Sequence, residues 1–151
     1  MNSLTDKHAS NIHEHWLKDI SQTVLDIAED QFYSSLNEAI SRIPQVGNAL
    51  LFHYPKQGQP RVLYTCYTTE SGDYQRHVER YLDGPYILDP FYHASTDGIA
   101  PGAYLLADIA PDDFLNSEYY REYYLGTRLE DELSYLQPLP EGGHLHLSVA
   151  Y

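Results

Sequence analysis

Two hairpin signatures flank a helical middle, and together they restrict this chain more than any other feature. Ala49 to Tyr54 and Arg61 to Thr69 are strand-like runs joined by the turn-forming segment Pro55 to Pro60. Glu132 to Leu139 and His144 to Tyr151 repeat the arrangement across Pro140-Glu141-Gly142-Gly143. Strands joined by short turns are antiparallel neighbours, so the chain must build an antiparallel sheet. Upstream, Ile12, Trp16, Ile20, Val24, Ile27 and Ala28 recur at helical spacing. Phe32, Leu36, Ala39, Ile40 and Ile43 continue that period as a second helix after a break near Asp30, and Pro44 and Gly47 stop it. Between the hairpins, Tyr74 to Ala94 predicts a helical crossover interrupted at Gly84-Pro85, and Gly102 to Ile109 predicts a third strand. Asp112 and Ser117 are placed to cap short helices carrying Phe114 and the pairs Tyr119/Tyr120 and Tyr123/Tyr124. The order ααββαβαββ defines an α+β fold, an antiparallel sheet with helices on its faces.

Charge then narrows the function. The 151 residues suit one domain with a real core, and the formal net charge is −13. So acidic a surface repels phosphate backbones, which excludes nucleic-acid binding by this chain alone. One cysteine, Cys66, excludes an internal disulfide and suits a reducing cytoplasm. No apolar run approaches the roughly 20 residues that span a bilayer. Fifteen tyrosines supply apolar faces with polar tips, a chemistry suited to pockets and interfaces and equally to the edge of a core.

The segment YLDGPYILDPFYHAS, Tyr81 to Ser95, carries the sharpest chemical question. Asp89 sits among Tyr86, Ile87, Leu88, Phe91 and Tyr92, and an acid in such company needs hydrogen-bond donors. A ligand N–H or ammonium can supply them, or Asp89 can cap the turn or helix that Asp-Pro opens. On the last strand His144 and His146 share one face and Leu145, Leu147 and Val149 the other. Two such histidines are weak evidence for metal, because no third ligand follows them in cupin fashion. Inward-facing pocket residues or a solvated strand face explain them better. His13 and His15 repeat the spacing on a helix, where i, i+2 residues diverge. Nothing nearby in sequence organises Cys66 as a nucleophile, and no phosphate loop, nucleophile elbow or Cys-x-x-Cys is present. The chain is therefore expected to be no enzyme and to carry no cofactor or metal.

Three stretches, YILDPFYHAS, DIAPDDFLNSEYYREYY and YLQPLPEGGHLHLSV, resemble the N-terminal sensor domains of LuxR-type transcription regulators. The element order is similar to that of PAS- and GAF-like sensors. The resemblance implies an α/β sandwich with a sheet of about five strands in the order 2-1-5-4-3, its crossovers covering one face. It implies a single sensor domain over 1–151, with helices in 1–43 and the sheet with its crossovers in 48–151. It also implies a helix-turn-helix module in the intact protein, a homodimer, and a cytoplasmic location. The chain ends on a strand with no polar tail, which predicts that sequence follows residue 151. In the acyl-homoserine-lactone branch a tyrosine, an Asp-Pro pair and a late-strand Ser or Thr contact the signal. Tyr81, Asp89-Pro90 and Ser148 look like those positions, with the first gap one residue short and His77 where that branch usually has tryptophan. Tyr86, Tyr92, Tyr104, Tyr119, Tyr123 and His146 are the candidate walls of a small-molecule pocket between sheet and crossovers. The rival expectation is a ligand-free dimerisation or interaction module. Its sign would be an interior filled by Tyr86, Phe91, Tyr92 and Tyr123 with no cavity.

Overall fold

A computed structural model describes residues 15–43, 46–67 and 74–150. The chain falls into two compact units, Met1–Val46 and Gly47–Tyr151. In the first, helix α1 spans 15–25 and α2 spans Phe32–Ser41. The turn between them contains the expected break. Ala28 takes a left-handed φ of 71°, which ends helical geometry, and the buried Asp26 carboxylate accepts from Gln22 Nε2 at 2.9 Å and from the Ser35 hydroxyl. Ile12, His13, Pro44, Thr68, Thr69 and Tyr151, named in the expectations above, lie outside the described residues.

The second unit is an antiparallel sheet of β1 (Asn48–Tyr54), β2 (Arg61–Tyr67), β3 (Gly102–Leu105), β4 (Glu132–Pro138) and β5 (His144–Ala150). Its order is β2-β1-β5-β4-β3, as expected. The β4–β5 hairpin closes through Gly142 N to Leu139 O at 2.8 Å. Gly142 and Gly143 hold φ of 91° and 85°, a region glycine enters without steric cost. Between β2 and β3 run α3 (π-helical Gln75–Glu79 continuing as Arg80–Leu82) and α4 (Pro90–Thr96). Between β3 and β4 run α5 (Leu106–Ile109) and α6 (π-helical Tyr120–Tyr124 continuing as Leu125–Thr127).

Three local expectations need correction. The third strand stops at Leu105, because Asp108 Oδ2 accepts the Leu105 amide at 3.2 Å and turns Leu106–Ile109 into a helix. The crossover breaks twice rather than once: Gly84 at φ 146° ends α3, and Asp89-Pro90 starts α4 anew. Ser117 caps as expected, accepting from Tyr120 N at 3.1 Å, whereas the turn Phe114–Asn116 begins at Asp113 without a side-chain cap, so Asp112 has no such role.

Strand period explains the core. Leu50, Phe52 and Tyr54 of β1 lie on the same face as Ser134 and Leu136 of β4 and His146 and Ser148 of β5. The crossovers cover that face with Val78, Tyr81, Phe91, Leu106, Tyr119, Tyr123 and Tyr124. Burying so many aromatic rings is the dominant favourable term here.

Candidate functional site

Asp89 occupies the point where α4 starts, and its two oxygens divide the labour. Oδ1 accepts the Phe91 amide at 2.8 Å, an N-cap, while Oδ2 accepts the Tyr81 hydroxyl at 2.6 Å. Tyr54 brings a second hydroxyl to 3.3 Å of Oδ2 and lies 2.7 Å from the Tyr81 oxygen. Tyr54 also bonds His146 Nδ1, and His146 Nε2 meets Ser134 Oγ at 2.7 Å. Ser134 donates in turn to Glu132 Oε1 at 2.9 Å, and Tyr124 donates to Glu132 Oε2 at 2.9 Å. One chain of polar contacts therefore runs Asp89–Tyr81–Tyr54–His146–Ser134–Glu132, walled by Phe52 and Phe91, whose centroids lie 6.1 Å and 5.4 Å from the His146 ring.

Each hydroxyl has one proton to give, so this chain can be satisfied in two ways. In one, His146 donates from both nitrogens, Tyr54 donates to Tyr81, and Tyr81 to an ionised Asp89. In the other every bond on the tyrosine side reverses: a protonated Asp89 donates to Tyr81, Tyr81 to Tyr54, and Tyr54 to a neutral His146. The two arrangements differ by one proton moved between Asp89 and His146. Ser134 donates to Glu132 in both.

The two acids are shifted in opposite directions. Burial pushes Asp89 up, the charge of Glu132 adds to this, and His146, the Tyr81 bond and the Phe91 amide offset part of it, leaving about 6. Burial also raises Glu132, but the hydrogen bond and charge of His146, with the hydroxyls of Ser148 and Tyr124, outweigh it and hold the group below its ordinary value. Burial, then Asp89, pushes Tyr54, Tyr81 and Tyr119 upward, so these phenols stay protonated donors.

The polar chain borders a cavity of about 20 Å³. That is room for roughly one water. Its polar lining is Asn48, His77, Tyr81, Asp89, Glu132, His146 and Ser148. Of the sequence candidates, Tyr81, Asp89, Tyr123, His146 and Ser148 line this one space. Tyr119 stacks behind Tyr123 at 5.4 Å. Tyr86 and Tyr92 meet edge to face at 5.3 Å and pack on Tyr81 and Tyr54 without lining the space themselves. Tyr104 is not brought there: it lies on β3, its hydroxyl donating to the Ala100 carbonyl at 2.9 Å. The larger hollows, about 350 Å³ beside the β4–β5 turn and 430 Å³ beside α4 and α5, are open at the surface. Among the described residues no group of three His, Cys, Asp or Glu is disposed to hold a metal ion.

Sequence reasoning missed Tyr54, Glu132, Ser134 and Tyr124. The signal for three of them was available. Tyr54 follows Leu50 and Phe52 at strand period, and Glu132 and Ser134 alternate with Leu133 and Tyr135 on β4.

No family model matches the chain, and no curated protein matches it. Among solved structures it is similar to the VqsR LBD domain from Pseudomonas aeruginosa. The TM-score is 0.70 at 27% identity, over 90% of this chain and 79% of that one. That neighbour is the ligand-binding domain of a regulator, and the likeness supports a regulatory sensing domain for this chain. No helix among the described residues is long and apolar enough to cross a membrane.

Proposed function

We propose that this chain is the PAS/GAF-like sensor domain of a LuxR-type transcription regulator whose interior is occupied by its own side chains. In this reading it is a non-enzymatic cytoplasmic module. It forms homodimers and passes partner or conformational signals to a helix-turn-helix module elsewhere in the intact protein. One observation carries the reading. The space beside Asp89 holds about 20 Å³, and Asp89 takes its short hydrogen bonds from Tyr81 and the Phe91 amide, with the Tyr54 hydroxyl a further contact at 3.3 Å. An acyl-lactone-sized molecule would have to displace several buried rings, and it would orphan the hydroxyls now spent on Asp89.

A second reading has its own support. Tyr81, Asp89 and Ser148 line the same space, and they resemble the positions that contact the signal in the lactone-binding branch. On that reading an organic ligand with an N–H or ammonium donor opens the tyrosine cage and replaces Tyr54. Thermal unfolding against acyl-lactones, amines and amino-acid derivatives separates the two. A ligand at 100 times its Kd adds about 2.7 kcal/mol to stability. The filled-interior reading expects no saturable shift from any acyl-lactone, and a saturable rise of several degrees replaces it with the second reading.

A further inference from the structure

Helix α1 turns a polar side toward α2 and an apolar side outward. On the inner side Asp26 accepts from the Ser35 hydroxyl of α2, and Asp19 pairs with Arg42 at the end of α2. On the outer side Leu17, Val24 and Ile27 are 58%, 60% and 60% exposed, with Ile20 half-buried between them. A helix ordinarily turns its apolar stripe inward, and a contiguous apolar stripe left outside marks an interaction surface.

The spacing of the stripe identifies its partner. Leu17, Ile20, Val24 and Ile27 are separated by three, four and three residues, a pattern that reads the same in both directions. The bond from Asp26 N to Gln22 O at 2.9 Å carries the helical path to the foot of Ile27, so the four share one face. We propose that this stripe is the surface on which two copies of the chain pair, antiparallel about a two-fold axis. Such a pair sets Leu17 against the partner's Ile27 and Ile20 against the partner's Val24, each contact made twice. Charge and area agree. No carboxylate lies within the stripe, so two chains of net charge −13 meet here without direct repulsion. Leu17, Val24, Leu25 and Ile27 expose on the order of 400 Å² per copy, and flanking Lys18 and Ser21 bring a pair to roughly the 1,000 Å² of a specific contact. An anionic membrane suits the helix less well, because its other side carries Asp19 and Asp26 where an interfacial helix carries lysine and arginine.

This inference rests on the homodimer of the reading above and assigns its surface. The test is sedimentation equilibrium of the whole chain over a wide range of concentration, with Leu17→Lys and Val24→Lys as variants. The expected result is a reversible dimer whose Kd rises at least tenfold in each variant, with the Tm of the monomer unchanged. Lysine also lowers the net negative charge, so weaker pairing reports lost apolar contact rather than added repulsion. Crosslinking fixes the register. With the buried Cys66 replaced by alanine, a short bismaleimide should join Leu17→Cys to Ile27→Cys and should not join Leu17→Cys to itself. Two copies of position 17 lie ten residues apart along the antiparallel pair, about 15 Å. A dimer of undiminished affinity in both variants would overturn the surface and leave the homodimer standing. A monomer at every concentration would overturn both. A monomer whose Tm falls in the variants would place the stripe under cover of its own chain and overturn the inference as well. Leu17→Cys joined efficiently to itself would overturn the antiparallel pairing.

Discussion

Asp89 and Glu132 are two carboxylates buried on one side of one sheet, 3% and 6% exposed, yet they titrate in opposite directions from their ordinary values. Burial is the largest influence on both, and it raises both. What separates them is the partner. Glu132 has the His146 imidazole 3.6 Å away, together with hydroxyl donors. Asp89 is reached through neutral tyrosine hydroxyls and one backbone amide, and it feels the charge of Glu132 besides. Dipoles reduce the desolvation cost of a buried charge, whereas a nearby cation can reverse it. His146 is thus the residue on which the difference turns.

Removing His146 should break the comparison most. His146→Ala leaves Glu132 without the imidazole beside it and strips Tyr54 and Ser134 of a partner, so unfolding in urea should show a loss of about 3–5 kcal/mol. Asp89→Ala comes next. It removes a cap and leaves the Tyr81 hydroxyl buried without its acceptor, for an expected loss of about 2–3 kcal/mol. Tyr81→Phe and Tyr54→Phe should each cost about 1–2 kcal/mol, and combining them should be less than additive because both hydroxyls serve one chain.

The pH dependence is smaller and has a definite sign. The folded value of Asp89, about 6, lies above the ordinary 3.8, so between these values the folded state holds a proton that the unfolded chain has released. Its stabilising contribution is complete below the unfolded value and is lost as pH rises through about 6. Glu132, depressed, acts oppositely, but its contribution is lost only as pH falls through its lowered folded value. Stability should therefore drop by about 1 kcal/mol from pH 5 to pH 7. Asp89→Asn should flatten that slope. Smallest of all, with no change expected, is the response to a DNA probe at physiological salt, since the net charge is −13. Retention of a specific sequence by this chain would contradict the domain reading itself.

What could be read without the structure divides along the same physical line. The sheet and its order were legible because strand alternation and glycine turns are local. Gly142-Gly143 sets one hairpin, Pro55 to Pro60 the other, and the resemblance supplied the order. Asp89 was legible as a buried acid because its neighbours are apolar. Its dual role was not: whether a cap or a cavity takes an oxygen depends on where Tyr81 and Tyr54 arrive from 8 and 35 residues away. The helix at Leu106–Ile109 hid because Leu105 and Leu106 suit either period, and Asp108 decides it through one backbone bond. Cavity volume was beyond reach, being set by how Tyr86, Tyr92, Tyr119 and Tyr123 pack against one another.

The central claim, an interior filled by its own side chains in which Asp89 takes its donors from the chain, is tested most directly by following the Asp89 carboxyl carbon by NMR from pH 3 to pH 8, assigned with Asp89→Asn. The account predicts titration at about 6, while Glu132 stays ionised below its ordinary range. Titration of Asp89 near the ordinary 3.8 would show a carboxylate bathed in water, and would contradict it by revealing an open pocket.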